Sequence, residues 1–264
     1  MAAKPKAKGC LDLKSARVLI SNDDGINAPG IKLLEKVVRK ICRDVWVVAP
    51  ETEQSAASHS LTLRRPLRIR RLSRRRFAID GTPTDSVLLA SRQIMSDHPP
   101  DLVLSGINRG GNLGEDVTYS GTVAAAMEGT LLGIPSVAFS LVTDDRAAAK
   151  WATAEAWLPK VLKRLEHFSW PKGVLVNVNF PDCPAQSITG IRVVSQGRRK
   201  IGGALHEGRD PRGDSYYWIG AQRVELQERG ETDLSAVNGK AISVTPLSLD
   251  LTHTRSLGTL KDVF

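Results

Sequence analysis

The sequence predicts an α/β protein built on a doubly wound, mostly parallel sheet, with a β-rich extension at its C-terminal end. Two observations carry that expectation. Up to residue 180, short apolar runs rich in β-branched residues alternate with segments whose apolar residues recur at helical spacing. Beyond Pro181 the helical spacing stops, and short strand-like runs alternate with Gly-rich and charged loops.

The elements follow in order. Arg17 to Ser21 reads as a strand, Pro29 to Arg43 puts Ile31, Leu34, Val37, Val38 and Ile41 on one helix face, and Asp44 to Pro50 is a second strand. Strand, helix, strand at this length is a crossover unit, so the two strands should be parallel. Asp101 to Ser105 reads as a third strand, Thr122 to Leu132 as a helix with small residues on its packing face, and Pro135 to Ser140 as a fourth strand. Arg146 to His167 reads as a long helix ended by Pro171, and Gly173 to Phe180 as a fifth strand. In the extension, Gly190 to Ser195 and Ala241 to Thr245 read as strands with no helix between them, and Gly203 to Ser215 as a long polar loop. Residues 1–15 are expected to form a flexible leader and residues 16–264 a single domain, because a chain of 264 residues can bury one large core. No internal repeat is visible.

Composition narrows the function classes. With 41% hydrophobic and 25% charged residues the chain is of ordinary globular type, and no window approaches the roughly 18 to 20 apolar residues of a membrane span. Cys10, Cys42 and Cys183 lie far apart without CxxC or CxxH spacing, so neither a disulfide framework nor a zinc site is indicated, and a reducing compartment, the cytoplasm, is expected. The net charge is +9. Nearly all of it resides in Arg64 to Arg76, a run with eight Arg and no acid. Such a run favours polyanions such as nucleic acid or polyphosphate, although it lacks the interleaved aromatics on which bases stack. A solvated arm remains the plainer reading.

In a doubly wound sheet, ligands bind outside the carboxyl ends of the strands. After the first strand comes Ser21-Asn22-Asp23-Asp24-Gly25. Adjacent side chains on an extended strand point to opposite faces, so Asp23 and Asp24 can converge on one ion only where the chain bends, and Gly25 permits the bend. A helix-capping turn is the alternative. After the second strand, Ala49 to Ser60 offers hydroxyls but no second carboxylate cluster with metal spacing. After the third, Ser105-Gly106-Ile107-Asn108-Arg109-Gly110-Gly111-Asn112-Leu113-Gly114 combines glycines that admit an anion with neutral Asn oxygens, and leads to Tyr119-Ser120-Gly121-Thr122 at a helix start. Ser120 as a simple N-cap is the alternative there. Neither GxGxxG nor GxxxxGK[ST] is present, which removes support from nicotinamide-cofactor and ATPase readings. The donors are all oxygen, which suits magnesium, manganese or calcium rather than zinc.

These motifs, together with Ala28-Pro29-Gly30, Gly81-Thr82-Pro83-Thr84-Asp85 and Ile242 to Leu247 in that order, resemble the SurE family of survival-protein nucleotidases from about Arg17 to Thr252. The resemblance implies a Rossmann-like core with a projecting C-terminal hairpin exchanged between subunits. It implies a divalent-metal-dependent phosphomonoesterase acting on nucleoside 5′- and 3′-monophosphates, with polyphosphate trimmed by some members. By the same resemblance Asp23, Asp24, Ser55 and Asn108 would hold one magnesium or manganese ion per subunit, with Asp23, Asp24 and Asn108 counted as catalytic. Gly110, Asn112, Ser120, Gly121 and Thr122 would bind the substrate. His59 is a weak candidate for general acid or base, since a lone loop His is more often structural. The Arg-dense segment and the leader depart from the family pattern.

Two rival readings follow from the same residues. One is a non-enzymatic nucleic-acid or polyanion binder that uses the Arg run. The other is a haloacid-dehalogenase-like phosphatase with an aspartyl nucleophile, which the adjacent Asp23 and Asp24 disfavour because that chemistry uses DxD spacing. A homodimer, or a tetramer of dimers, is expected through residues 190–252, because an isolated hairpin is marginal in water and a two-fold partner would cover it.

Overall fold

Val18, Leu19 and Ile20 are all fully buried, yet they serve different cores: Val18 and Ile20 belong to one apolar cluster and Leu19 to another. Successive strand residues face opposite sides, so a strand apolar throughout needs cover on both. The computed structural model describes residues 11–143, 148–201, 205–220, 223–226 and 230–264, and supplies that cover.

The chain runs β1 (Arg17–Ser21), α1 (Pro29–Val38), β2 (Asp44–Pro50), β3 (Ile69–Ser73), β4 (Arg76–Ile79), α2 (Pro83–Leu89) and β5 (Leu102–Arg109). It continues through α3 (Gly121–Leu131), β6 (Ser136–Leu141), α4 (Trp151–Leu165), β7 (Val174–Phe180), β8 (Gly190–Val193) and β9 (Arg199–Ile201). It ends with β10 (Leu205–Arg209), β11 (Ser215–Ile219), β12 (Arg223–Glu225), α5 (Asp233–Asn238), β13 (Ala241–Ser248) and α6 (Thr254–Lys261). Nine strands form one sheet in the order β3-β4-β2-β1-β5-β6-β7-β13-β8. The five strands expected to be parallel are parallel. Helices α1 and α4 pack on one face, through Ile31, Leu34, Ala154 and Leu158, and α2 and α3 cover the other, through Val87, Val123, Ala125 and Ala126.

Several expectations are corrected. Within the expected leader, Leu13 is buried in the main core and its N–H donates to Glu166, while residues 1–10 lie outside the described residues. The Arg run is not a solvated arm but an edge hairpin, in which β4 adds a sixth parallel strand beside β2 and β3 pairs antiparallel with β4. Acids compensate much of its charge: Arg65 and Arg68 meet Asp80, Arg70 meets Glu51, Arg75 meets Asp44 and Arg76 meets Glu35. Helix α1 stops at Val38, where Ile41 and Cys42 donate back to the Val38 carbonyl and turn the chain into β2. Helix α4 begins at Trp151; Arg146, the start expected for it, lies outside the described residues. The extension does contain a helix, α5, set by a Thr232–Ser235 capping box. Its expected polar loop contains β10, which pairs with β11 as a hairpin, while Gly203 lies outside the described residues. Strand β13 runs antiparallel to β7, which makes the sheet mixed at that edge.

Candidate metal and phosphate site

Strand β1 lies between β2 and β5, and the chain leaves it toward β2 through α1 while β5 is reached later from the other side. That is the topological switch point, where the loops at the carboxyl ends diverge and leave a crevice. A cavity of about 750 Å³ occupies it, lined among others by Asp23, Asp24, Ser55, Asn108, Gly110, Asn112 and Ser120. Four strand-end or helix-start segments far apart in sequence thus meet at one cavity.

The bend that β1 needs is present. Asn22 Nδ2 donates to the Gly25 carbonyl at 2.9 Å, and Gly25 takes φ +94°, a left-handed conformation that glycine adopts freely. Asp23 is buried, and the Thr122 hydroxyl donates to its Oδ1. A Cβ on Gly121 would stand 2.7 Å from Asp23 Cβ, so the carboxylate can lie against the start of α3 only because residue 121 has no side chain. Burial pushes the Asp23 pKa up, opposed by hydrogen bonds from the Thr122 side chain and backbone. Asp24 accepts from the Arg109 N–H at 3.2 Å, and burial, followed by the charge of Asp23, raises its pKa to about 7.

Two carboxylates held back from ionising by burial, with the charge of Asp23 acting on Asp24 as well, suit a bound cation. Asn108 donates its Nδ2 to the Gly110 carbonyl at 2.8 Å, which leaves the amide oxygen as its acceptor end. Ser55 supplies a hydroxyl, donated at 2.6 Å to Glu53. Among the described residues no three His, Cys, Asp or Glu side chains cluster as a metal centre of their own. Two carboxylates with the Ser55 and Asn108 oxygens would make a hard, all-oxygen donor set, of the kind that fits magnesium or manganese.

Other assignments shift. Ser120 does cap α3, accepting from the Val123 N–H at 3.0 Å, and it also lines the cavity. Thr122 does not line the cavity; its side chain is fully buried behind Asp23. Its N–H is likewise turned to Asp23, so the start of α3 offers an anion the Ser120 hydroxyl and the positive helix end rather than a full set of amides. The Asn112 side chain donates to Ser140 at 2.8 Å, and its carbonyl receives Asn177 and Asn179, so it anchors the loop more than it presents a free amide. His59 pairs with Glu128 of α3 at 3.1 Å and does not line the cavity, which corrects its nomination as acid or base.

Sequence reasoning missed Glu53, a third cavity carboxylate whose charge raises both Asp23 and Asp24. It also missed Pro29, Asp116, Tyr119 and Trp151. The adjacent Pro50-Glu51-Thr52-Glu53 acids carried a signal, but Trp151 begins a helix whose register in space cannot be read from spacing. Asp116 is held from the extension: Arg199 donates to its Oδ2 at 2.6 and 3.0 Å and to the Gly111 carbonyl at 3.2 Å.

Known proteins share this chain's organisation. The family described as survival protein SurE matches residues 18–203. A protein named 5′-nucleotidase SurE from Paramagnetospirillum magneticum is 60% identical over 96% of this chain and 97% of its own. One of the same name from Parvibaculum lavamentivorans is 53% identical over 94% of this chain and 91% of its own. The crystal structure of the SurE protein from Aquifex aeolicus superposes with a TM-score of 0.81 at 40% identity, covering 93% of this chain and 98% of that one. With a match to the family over most of its length, in sequence and in fold, the chain belongs to the SurE family.

Proposed function

We propose that the protein hydrolyses nucleoside 5′- and 3′-monophosphates to nucleoside and phosphate, using one divalent ion, magnesium or manganese, per subunit. The observation that carries the reading is the meeting of Asp23, Asp24, Ser55 and Asn108 at one cavity whose rim includes Ser120 at a helix start. Membership of a family whose curated relatives are named 5′-nucleotidases supports the substrate class.

In this reading the two carboxylates, the hydroxyl and the amide oxygen hold the ion. When bound, the ion polarises the phosphoryl group and brings water closer to hydroxide at neutral pH. Thr122 orients Asp23, and Gly121 leaves the space for it. Ser120 and the positive end of α3 meet the non-bridging phosphate oxygens, where charge is redistributed in the transition state, whereas Gly110, whose N–H donates to the Leu141 carbonyl at 2.9 Å and whose carbonyl accepts from Asn108, only leaves room beside them. Asn112 keeps the loop after β5 in register with β6 and β7.

A purely polyanion-binding role loses support, because five of the eight Arg in 64–76 already face acids. Arg64, Arg71 and Arg74 have no acidic partner among the described residues and are what the segment offers to polyphosphate or nucleic acid. A homodimer or tetramer is part of the proposal: the β10–β11 hairpin exposes Leu205, Tyr217, Trp218 and Ile219 to at least 62%, an apolar surface that a second copy would cover. Among the described residues no helix is long and apolar enough to cross a membrane. Cys42 and Cys183 are free and buried, in keeping with a reducing compartment such as the cytoplasm.

Phosphate release from AMP, GMP and bis(p-nitrophenyl) phosphate by metal-stripped protein, with magnesium or manganese added back in turn, tests the reading. Metal-dependent turnover of the monoesters is expected. Turnover in excess EDTA, or preference for the diester, would sink it.

A further inference from the structure

The two walls of the cavity differ in chemistry. On the side of α3 it is lined by Tyr119 and Ser120, the one phenolic and the other a hydroxyl, and, at the strand tips, by carboxylates and amides. On the side where α1 and α4 begin it is lined by Ala28, Pro29, Ala149 and Trp151, with no charged side chain among these four. The helices explain the division. Helices α1 and α4 share one face of the sheet and α3 covers the other, so their first turns reach the crevice from opposite sides. Trp151 is the first residue of α4, and its ring edge reaches over the first turn of α1, with Cη2 3.2 Å from where a Gly30 Cβ would be. Gly30 is also the point where α1 presses on the Ile107 carbonyl of β5, so the Trp151 ring is seated on a fixed surface.

We propose that this wall is the nucleoside half of the site, with the base stacked on Trp151 and the phosphate at Ser120 and the cation that Asp23 and Asp24 would hold, an inference that rests on the nucleotidase reading above. A cavity of about 750 Å³ has room for far more than a phosphoryl group and an ion. A nucleobase has two flat apolar faces and polar edges, and an aromatic ring on an otherwise aliphatic wall matches the faces. The other four tryptophans are engaged elsewhere: Trp46 between Arg17 and Arg75, Trp157 under Lys160, Trp170 on Phe168, and Trp218 on the hairpin. Stacking recognises every base, and among the described residues that line this wall none carries a charged side chain to read base edges. Broad base tolerance is therefore part of the inference.

The test compares AMP with glycerol phosphate, a monoester with no base, in Trp151→Leu and Trp151→Phe. Leucine keeps apolar cover over Gly30 but has no π face. The ratio of kcat/KM for AMP over glycerol phosphate is expected to fall about 5- to 100-fold in Trp151→Leu, mainly through KM, and to recover largely in Trp151→Phe. Adenosine should compete with AMP in the wild type and lose that ability in Trp151→Leu. An unchanged ratio, or equal losses on both substrates, overturns the inference while leaving the nucleotidase reading intact. Loss of adenosine competition in Tyr119→Leu but not in Trp151→Leu overturns it too, by moving the base to the opposite wall. A wild type inactive on both esters defeats the nucleotidase reading instead, and calorimetric titration with adenosine then decides the inference: binding that Trp151→Leu abolishes upholds it, and no binding overturns it.

Discussion

The Thr122 hydroxyl, at the start of α3, donates to Oδ1 of Asp23, at the tip of β1, joining positions 99 residues apart. Both groups are buried, so the bond fixes which way the carboxylate faces. Thr122→Val keeps the volume and removes the donor. It is expected to lower metal affinity or turnover by about 10- to 100-fold, as loss of a ligand-orienting partner does. Isothermal titration with manganese and AMP kinetics measure this, and unchanged values for both would show that Asp23 needs no such guide.

Gly121 gives a steric version of the same dependence. In Gly121→Ala the new methyl would meet Asp23 Cβ at 2.7 Å, so Asp23 or the start of α3 must move. A displacement of about 1 Å at a reacting centre costs on the order of 100-fold in rate. Turnover should fall by that order while circular dichroism stays close to wild type.

Asp24 makes stability depend on pH. Its pKa is raised to about 7 in the metal-free fold, whereas an unfolded Asp titrates near ~3.9. Between those values the folded protein holds a proton that the unfolded chain has released, so this contribution to stability is present at low pH and is lost as pH rises toward 7. In EDTA the melting temperature is expected to fall from about pH 5 to about pH 8, and manganese should raise it more at the upper end. Asp24→Asn should flatten the EDTA profile and remove the gain from metal. A wild-type profile rising with pH in EDTA, with no response to metal, would contradict both points.

Arg199 and Asp116 form a buried pair, with side chains 11% and 7% exposed, between the extension and the cavity wall. Removing Arg199 takes from the buried Asp116 carboxylate an ion pair and two charge-assisted hydrogen bonds. Arg199→Ala is expected to cost about 3 to 5 kcal/mol. The double variant with Asp116→Ala should recover part of this, and strictly additive losses in urea unfolding would deny the coupling.

The hairpin prediction concerns assembly. Replacing residues 205–219 by a short Gly-Ser linker should convert a dimer or tetramer to monomers in light scattering at micromolar concentration. A wild type already monomeric, and unaltered by the deletion, would refute it.

What the sequence by itself determined was the alternation of apolar runs, hence the five parallel strands, and the turn residues at their ends. Asp23, Asp24, Asn108 and Ser120 were legible because a doubly wound sheet brings the ends of its strands to one side, whatever the loops do. The sequence could not tell that the Arg run holds β3 and leads into β4: β4 is only four residues long, and its place is decided by pairing with β2 and by ion pairs to Glu35 and Asp44, which are distant in sequence. Nor could it separate Thr122, behind Asp23, from Ser120, in the cavity, since two residues on a helix turn the side chain by about 200° and only packing says which side is wet. Trp151 reaches the site through the tertiary fold alone: no local pattern distinguishes a tryptophan that covers a helix from one that walls a cavity. Periodicity reports which residues must leave water, a property of the local chain, whereas the faces that meet across the crevice depend on how helices and strands pack over long sequence separations.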